Sequence, residues 1–353
     1  NMIKTDTEIE REMRSYKYAE DMRHLDNKIT KKSVDSLLDA VHDNFDIVHE
    51  YYKIKKELLG LDKLYDFDRY APIGKSEKTY DFETSKKIVL EAFNDFSPLF
   101  SKISQEAFDN GWIDVLPREN KRGGAFSHGA TPKGHPYVLL NHTDNRRDVF
   151  TLAHELGHTC HQYLSYNVGY LNSATPLTTA ETASVFCEML LFDKMKKNLK
   201  GEELISLYAG KLEDIFATLF RQILFTDFER RIHASEGELS SEAISNIWIE
   251  ENRKMFGDSL ELTKDYEIWW SYIPHFVHTP FYCYAYGYGQ LLVFALYGLY
   301  KRGFDNFEVR YIEFLSRGGS MSPKELVSLF GFDIESDKFW RIGLDGISAM
   351  LEE

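Results

Sequence analysis

The chain has 353 residues, of which 43% are hydrophobic, enough for a substantial core in one large domain or two lobes. A formal net charge of −14 argues against nucleic acid as a partner, since phosphate binding needs a basic surface. The longest apolar run, Leu291–Leu299, is too short to span a membrane, so no membrane partner is expected. Three cysteines (Cys160, Cys187, Cys283) lie in segments that read as buried helix, without the spacing of a disulfide framework. The N-terminus has no signal-peptide pattern. A soluble cytoplasmic monomer is the expectation.

In chain order, residues 5–30 are rich in Glu, Arg, Lys and Asp and read as a charged helical lead-in. Ser33–Leu59 predicts one helix, because Leu37, Leu38, Val41, Phe45, Val48 and Tyr52 recur at helical spacing and Gly60 stops it. Tyr65–Gly74 is an irregular loop, and residues 84–109 predict a further helix. Trp112–Leu116 and Pro136–Asn141 read as short strands flanking Gly123-Gly-Ala-Phe-Ser-His-Gly129, whose small residues let a backbone come close to something. Pro136–Asn141 is expected as an edge strand able to hold an extended peptide by main-chain hydrogen bonds, with Gly124 and Ala125 as substrate-binding candidates. The alternative is a small structural sheet with a glycine turn. From residue 146 onward the pattern is nearly all helix: 146–166, 178–198, 202–236, 241–255, 280–302, 305–317, 323–330 and 337–350. No repeat, low-complexity segment or linker interrupts the chain, which reads as one catalytic unit over residues 1–353. The fold class expected is mostly α, with a small β-sheet beside the helix described next.

Thr151–His161 contains H-E-x-x-H: His154, Glu155 and His158. Residues four apart share a helix face, so two imidazoles converge on one point, where they can hold zinc. Glu155 then stands beside them, placed to take a proton from a water that the metal activates. Val149, Phe150, Leu152, Ala153 and Leu156 suit a largely buried helix. The motif also occurs by chance, so a third ligand decides its meaning.

Thr178–Phe192 predicts an amphipathic helix with Thr178 or Thr179 as N-cap. Glu181, Ser184 and Glu188 make its one polar stripe. A carboxylate on an apolar helix is costly to bury without a cationic partner, and zinc would be that partner. Glu181, twenty-three residues after His158, is assigned as third ligand. Ser184 and Glu188 are assigned to support, Glu188 as acceptor for a ligand histidine N–H. Metzincins are excluded, because His161 and Leu164 stand where they need glycine and histidine.

A second constellation is Trp269–Gln290, W-W-S-Y-I-P-H-F-V-H-T-P-F-Y-C-Y-A-Y-G-Y-G-Q. Pro280 can open a helix on which Tyr282 and Tyr286 share a face, four residues after His278. Hydrolysis at zinc builds an oxyanion that needs hydrogen-bond donors, and tyrosine and histidine supply them. With 21 Tyr and 25 Phe in the chain, an aromatic packing cluster is the alternative.

Taken together the residues resemble the M3 family of zinc metallopeptidases, in its oligoendopeptidase F branch within the thimet oligopeptidase-like superfamily. The matching runs are L-L-G-L-D-K-L-Y-D-F-D-R-Y-A-P-I (58–73), G-W-I-D-V (111–115), G-G-A-F (123–126), T-L-A-H-E-L-G-H (151–158), A-E-T-A-S-V-F-C-E (180–188), F-R-Q-I-L-F-T-D-F-E (220–229), I-P-H-F-V-H-T-P-F-Y-C-Y-A-Y (273–286) and G-G-S (318–320). The resemblance implies a zincin-type catalytic domain. It implies one zinc ion on His154, His158 and Glu181, with Glu155 as general base. It implies that His275 and Tyr282 help stabilise the transition state, and it marks His278, Tyr284 and Tyr286 as substrate-site candidates. Ala285 stands at the offset where related enzymes place a further tyrosine, and Val277 where the family often shows an aromatic residue. The family's N-terminal lobe is expected to be absent. The implied activity is endopeptidase cleavage of short peptides. A dipeptidyl carboxypeptidase of the same superfamily and a non-catalytic peptide-binding zinc protein are the rivals.

Overall fold

The computed structural model describes residues 1–74 and 78–353. It is mostly helical, as the sequence pattern predicts. The helices are α1 (Met2–Met13), α2 (Asp21–Asp26), α3 (Lys31–His42), α4 (Asp46–Leu58), α5 (Phe82–Phe96), α6 (Pro98–Asp109), α7 (Arg146–Ser165), α8 (Tyr170–Ser173), α9 (Leu177–Ala180), α10 (Thr182–Lys196), α11 (Glu202–Ile215), α12 (Arg221–Ala234), α13 (Ser241–Phe256), α14 (His275–His278), α15 (Tyr284–Lys301), α16 (Phe307–Ser316), α17 (Pro323–Ser328) and α18 (Asp337–Glu352). Three strands, β1 (Ile113–Asp114), β2 (Phe126–His128) and β3 (Tyr137–Leu139), lie between α6 and α7. Among the described residues no helix is long and apolar enough to cross a membrane.

Several predicted helices are divided, each for a local reason. Asn44 donates its side-chain amide to the Ala40 carbonyl at 2.8 Å, which ends α3 and separates it from α4. Ser97 is extended, as a residue before proline must be, and caps α6 with Pro98 at its first position. The 202–236 stretch contains a π-helical turn, Phe216–Phe220, between α11 and α12. In the lead-in, α1 and α2 are separated by a turn.

The chain forms two compact units whose segments interleave, so no linker marks them. Unit 1 comprises residues 1–74, 205–291 and 334–353, and unit 2 residues 75–204 and 292–333.

In unit 2, α10 is buried on nearly every side, from Thr182 to Phe192. A helix apolar all round belongs in a core rather than on a surface, so the expected amphipathic helix is instead the unit's central one. Phe186 packs against Tyr311 of α16 at 4.4 Å, and the Tyr311 hydroxyl donates to the Thr182 carbonyl at 2.8 Å. Gly318 and Gly319, of the G-G-S run, press on the loop before α9. The Gly319 N–H donates to the Asn172 carbonyl at 2.7 Å, and a Cβ on Gly319 would lie 2.0 Å from the Ala174 carbonyl oxygen. The sheet has the order β1-β3-β2, with β1 parallel and β2 antiparallel to β3. The 136–141 run is therefore the centre of the sheet, not its edge. The outer strands are β1 and β2, the latter formed from the glycine-flanked run itself.

In unit 1, the D-F-D-R-Y part of the 58–73 run is structural. Asp66 is buried and accepts the Thr263 N–H at 2.7 Å. Arg69, also buried, lies 5.1–5.8 Å from the rings of Tyr70, Phe256, Tyr266 and Trp269. These contacts fasten the 3-10 helix Lys264–Tyr272 that leads into Ile273-Pro-His275.

The crowding at Gly319 yields a prediction. Gly319→Ala should lower the unfolding free energy by about 1–3 kcal/mol, the usual cost of overpacking against backbone. Urea denaturation checks it, and an unchanged midpoint would mean that the 172–174 loop is free to retreat.

Candidate metal centre and active site

Asn145 starts α7 with a reciprocal cap: its side chain accepts the Asp148 N–H at 3.0 Å, and Asp148 accepts back from the Asn145 N–H at 3.4 Å. Val149, Leu152, Ala153, Leu156, Cys160 and Leu164 are buried along one side of the helix. His154 and His158 stand together on another stripe, their ring centres 4.8 Å apart.

The third donor arrives as the spacing predicts, with a difference. Glu181 is not inside a continuous helix but at the junction of α9 and α10, where it is the N-cap residue of α10. Thr178 and Thr179 are buried in α9 rather than capping the helix. From this junction Glu181 Oε2 reaches Nε2 of His154 and Nε2 of His158, 3.3 Å from each. The donor atoms of His154, His158 and Glu181 all lie within 4.8 Å of one another. Ser184 donates its hydroxyl to Glu181 Oε2 at 2.6 Å, which orients the carboxylate. Glu188 lies one turn further along α10, and its Oε1 is 2.6 Å from His154 Nδ1. That bond places the Nδ1 proton toward Glu188 and turns Nε2 to the point where the donors converge.

Gly157, inside the motif, makes this approach possible. A Cβ there would sit 2.6 Å from Ser184 Cα and 2.7 Å from the Ala183 carbonyl oxygen, both backbone atoms of α10. His161 is buried and is not among the converging donors. Burial lowers its pKa to about 3, and it bonds the backbone at Ala180, one residue before Glu181.

Glu181, Glu155 and His154 sit in different environments. Burial alone would raise Glu181, but the hydrogen bond and charge of His158, the charge of His154 and the Ser184 hydroxyl hold it down to about 2. Burial raises Glu155, and its Oε2 is buried with no hydrogen-bond partner among the described residues. Burial opposes the charged form of His154, but Glu188 outweighs it and raises the imidazole to about 9. Two imidazoles and one carboxylate aimed at a common point fit a zinc ion.

The sheet flanks α7 in the same unit. Val138 and Leu140 donate to β1, which turns Tyr137 and Leu139 toward β2. By that alternation Phe126 and His128 face β3, while the main chains of Ala125 and Ser127 face outward. The Ser127 carbonyl is taken by Gln162 Nε2 at 3.1 Å, and the Gly124 carbonyl by Asn141 Nδ2 at 2.8 Å. Sequence reading passed over Gln162 and Asn141. Gln162 could have been found, since it continues the four-residue spacing of His154 and His158.

The second group belongs to unit 1. The His275 and Tyr282 rings stack at 5.4 Å, and the Tyr286 hydroxyl is 3.4 Å from His275 Nε2. Tyr282 and Tyr286 are 5.2 Å apart. Burial lowers the His275 pKa. His278 is exposed at the end of α14. Pro280 does not open a helix: α15 begins at Tyr284, and Pro280 lies in the turn before it. Tyr284 is buried, with its hydroxyl accepting from Asn27 Nδ2 at 3.0 Å and lying 3.0 Å from His24 Nδ1. It is a core residue, and no substrate contact is proposed for it.

An H-E-x-x-H helix with a glutamate from a following helix, beside a small sheet in a mostly helical chain, defines the zincin type of metallopeptidase fold. The chain belongs to peptidase family M3, whose pattern it matches over residues 2–345. It is 32% identical to oligopeptidase PepF of Bacillus subtilis over 92% of this chain and 49% of that protein. It is 30% identical to an oligoendopeptidase F homolog of Lactococcus lactis over 93% of this chain and 55% of that one. The chain thus spans about half the length of these relatives. A crystal structure of oligoendopeptidase-F from Enterococcus faecium shares the fold, with a TM-score of 0.75 at 22% identity, over 99% of this chain and 57% of that one.

Two measurements test the metal centre. Glu188→Ala should weaken zinc binding by about 10–100-fold in competition with a chromophoric chelator, because His154 loses its orienting partner. Gly157→Ala should weaken it further while helical content by circular dichroism is kept. Undiminished affinity there would show that α10 need not approach so closely.

Proposed function

We propose that this chain carries the catalytic centre of a zinc-dependent endopeptidase acting on short peptides. One observation carries the reading: the donors of His154, His158 and Glu181 converge within 4.8 Å, beside a buried oxygen of Glu155 that has no partner among the described residues. Zinc, when bound by these three residues, would act as a Lewis acid and bring the pKa of a water towards about 7.

The remaining work falls to the chain's own groups. Burial raises the pKa of Glu155, which strengthens its carboxylate as a base, and it takes the proton of the attacking water. It then returns that proton to the leaving nitrogen. The outward main chain of Ala125, with Gly124 before it, is suited to receive an extended peptide as an added strand. His275 and Tyr282 keep the role that the resemblance gives them, donating to the oxyanion, and His278 and Tyr286 a supporting place at the substrate. A cytoplasmic monomer completes the reading, and the three buried cysteines, all free, agree with reduced thiols.

An internally quenched peptide of about ten residues with an amidated C-terminus, assayed with and without a chelator, tests this directly. Chelator-sensitive internal cleavage is expected. Cleavage confined to peptides with a free C-terminus would indicate the carboxypeptidase instead. No cleavage by a sample shown to contain zinc would overturn the reading for this chain. Glu155→Gln should retain zinc and lose about 10²–10⁴-fold or more in kcat, the range that a general base supplies. Near-normal turnover in that variant would remove Glu155 from the mechanism.

A further inference from the structure

The run Phe220–Glu229 ends in a carboxylate that the proposed reaction does not use. Glu229 lies on α12 and is 2% exposed. Its Oε1 accepts the main-chain N–H of Phe281 at 2.8 Å, and its Oε2 is buried with no hydrogen-bond partner among the described residues. Arg23 and Glu20 are the charged groups whose fields act on it, and Cys283 feels its charge in turn. Burial raises its pKa to about 8, with the Phe281 N–H and Arg23 pulling the other way. A buried carboxyl with so little to satisfy it is an expensive way to fill space, since an apolar side chain would pack there at lower cost.

The amide it holds sits at a strained position. The Tyr282 N–H donates to the Thr279 carbonyl at 3.1 Å, closing a turn with Pro280 second and Phe281 third. Phe281 has φ 58°, a left-handed conformation. This is the arrangement of a type II turn, whose third residue is normally glycine. Phenylalanine resists that conformation, and it persists only where its surroundings impose it. Its own ring is buried and packs 4.7 Å from His233, so glycine here would leave a hole. The next residue is Tyr282, stacked on His275.

We infer that Glu229 is a positioning residue: its carboxyl clamps the Phe281 amide, holds the Thr279–Tyr282 turn in its left-handed form, and so fixes where Tyr282 is presented. The inference rests on the proposed reading only in taking Tyr282 to meet the substrate. A neutral or charged carboxyl can hold the amide, because only one oxygen accepts.

The test compares Glu229→Gln with Glu229→Met in the full, zinc-loaded chain. Gln keeps the acceptor. Met keeps the volume and removes the acceptor, leaving the Phe281 N–H without its partner, so its Tm is measured alongside to show that the variant folds. Hydrogen exchange of the 279–286 segment reads the clamp without reference to catalysis. Peptide cleavage reads its consequence. In the Met variant exchange should quicken by about tenfold or more, and kcat should fall by about tenfold or more with KM and zinc content little changed, the pattern of an interaction made in the transition state. The Gln variant should stay near wild type in both. Wild-type exchange in the Met variant, quickened exchange with wild-type kcat, or a Gln variant as impaired as Met would each overturn the inference. A wild-type chain that cleaves nothing would instead sink the functional reading, while the exchange data would still decide whether the clamp exists.

Discussion

The candidate metal centre depends on how closely two helices approach. α7 offers two imidazoles on one stripe, but the third donor comes from α10, and side-chain reach is short. Gly157 removes the obstacle: with any Cβ at that position the backbone of Ala183 and Ser184 could not lie where it does. Interiors are packed to the density of organic crystals, so a displacement of this kind would not be absorbed locally. Much of the surrounding structure holds α10 against that contact. The Tyr311 hydroxyl bonds its first turn, Gly319 grips the loop before it, and apolar residues enclose it on almost every side.

Once the helices are in place, environment gives chemically identical groups different tasks. Glu181 accepts from Ser184 and lies against both imidazoles, so its anionic form is favoured despite burial. Glu155, one residue from His154, has burial as its leading influence, which raises its pKa, and an oxygen with no hydrogen-bond partner among the described residues. Glu188 is committed to His154. Carboxylates whose environments push them apart are the usual mark of separated roles. In the proposed reading the roles are ligand, base and orienting acceptor, and each is argued from which atoms the carboxylate touches.

How much of this could be read beforehand varied with the length of the signal. The motif on α7 repeats over several turns, and its helix has nearly the bounds expected. Glu181 could be singled out from chemistry, because a carboxylate in an apolar segment demands a partner, but its place at a helix junction could not, since no residue nearby announces the break. The strands are three residues or fewer, and a period of two cannot establish itself in so short a run. The hydrophobic Tyr137–Leu139 therefore looked like an edge although it is the centre. The tyrosines of 282–286 differ by nothing that composition reveals. Only the fold shows Tyr284 turned into the core toward His24 and Asn27 while Tyr286 is exposed. Gly157 was visible within the motif, but the need for it lies in α10, far along the chain.

The long matching runs of unit 1 have a common physical logic. The segment from Glu261 to Tyr282 runs through a 3-10 helix, Lys264–Tyr272, and the single turn of α14, and the buried amides at the breaks on either side must be satisfied in some other way. Side chains from distant parts of the chain supply the need. Asp66 takes the Thr263 amide, and Glu229 takes the Phe281 amide, while Arg69 fills the aromatic cage between Phe256 and Trp269. Each is a buried ionisable residue, the kind that folding for stability alone would replace with something apolar. What they stabilise is a particular course of the chain. The junctions between such short helical pieces cannot draw their geometry from helix propensity, and these side chains impose it from outside.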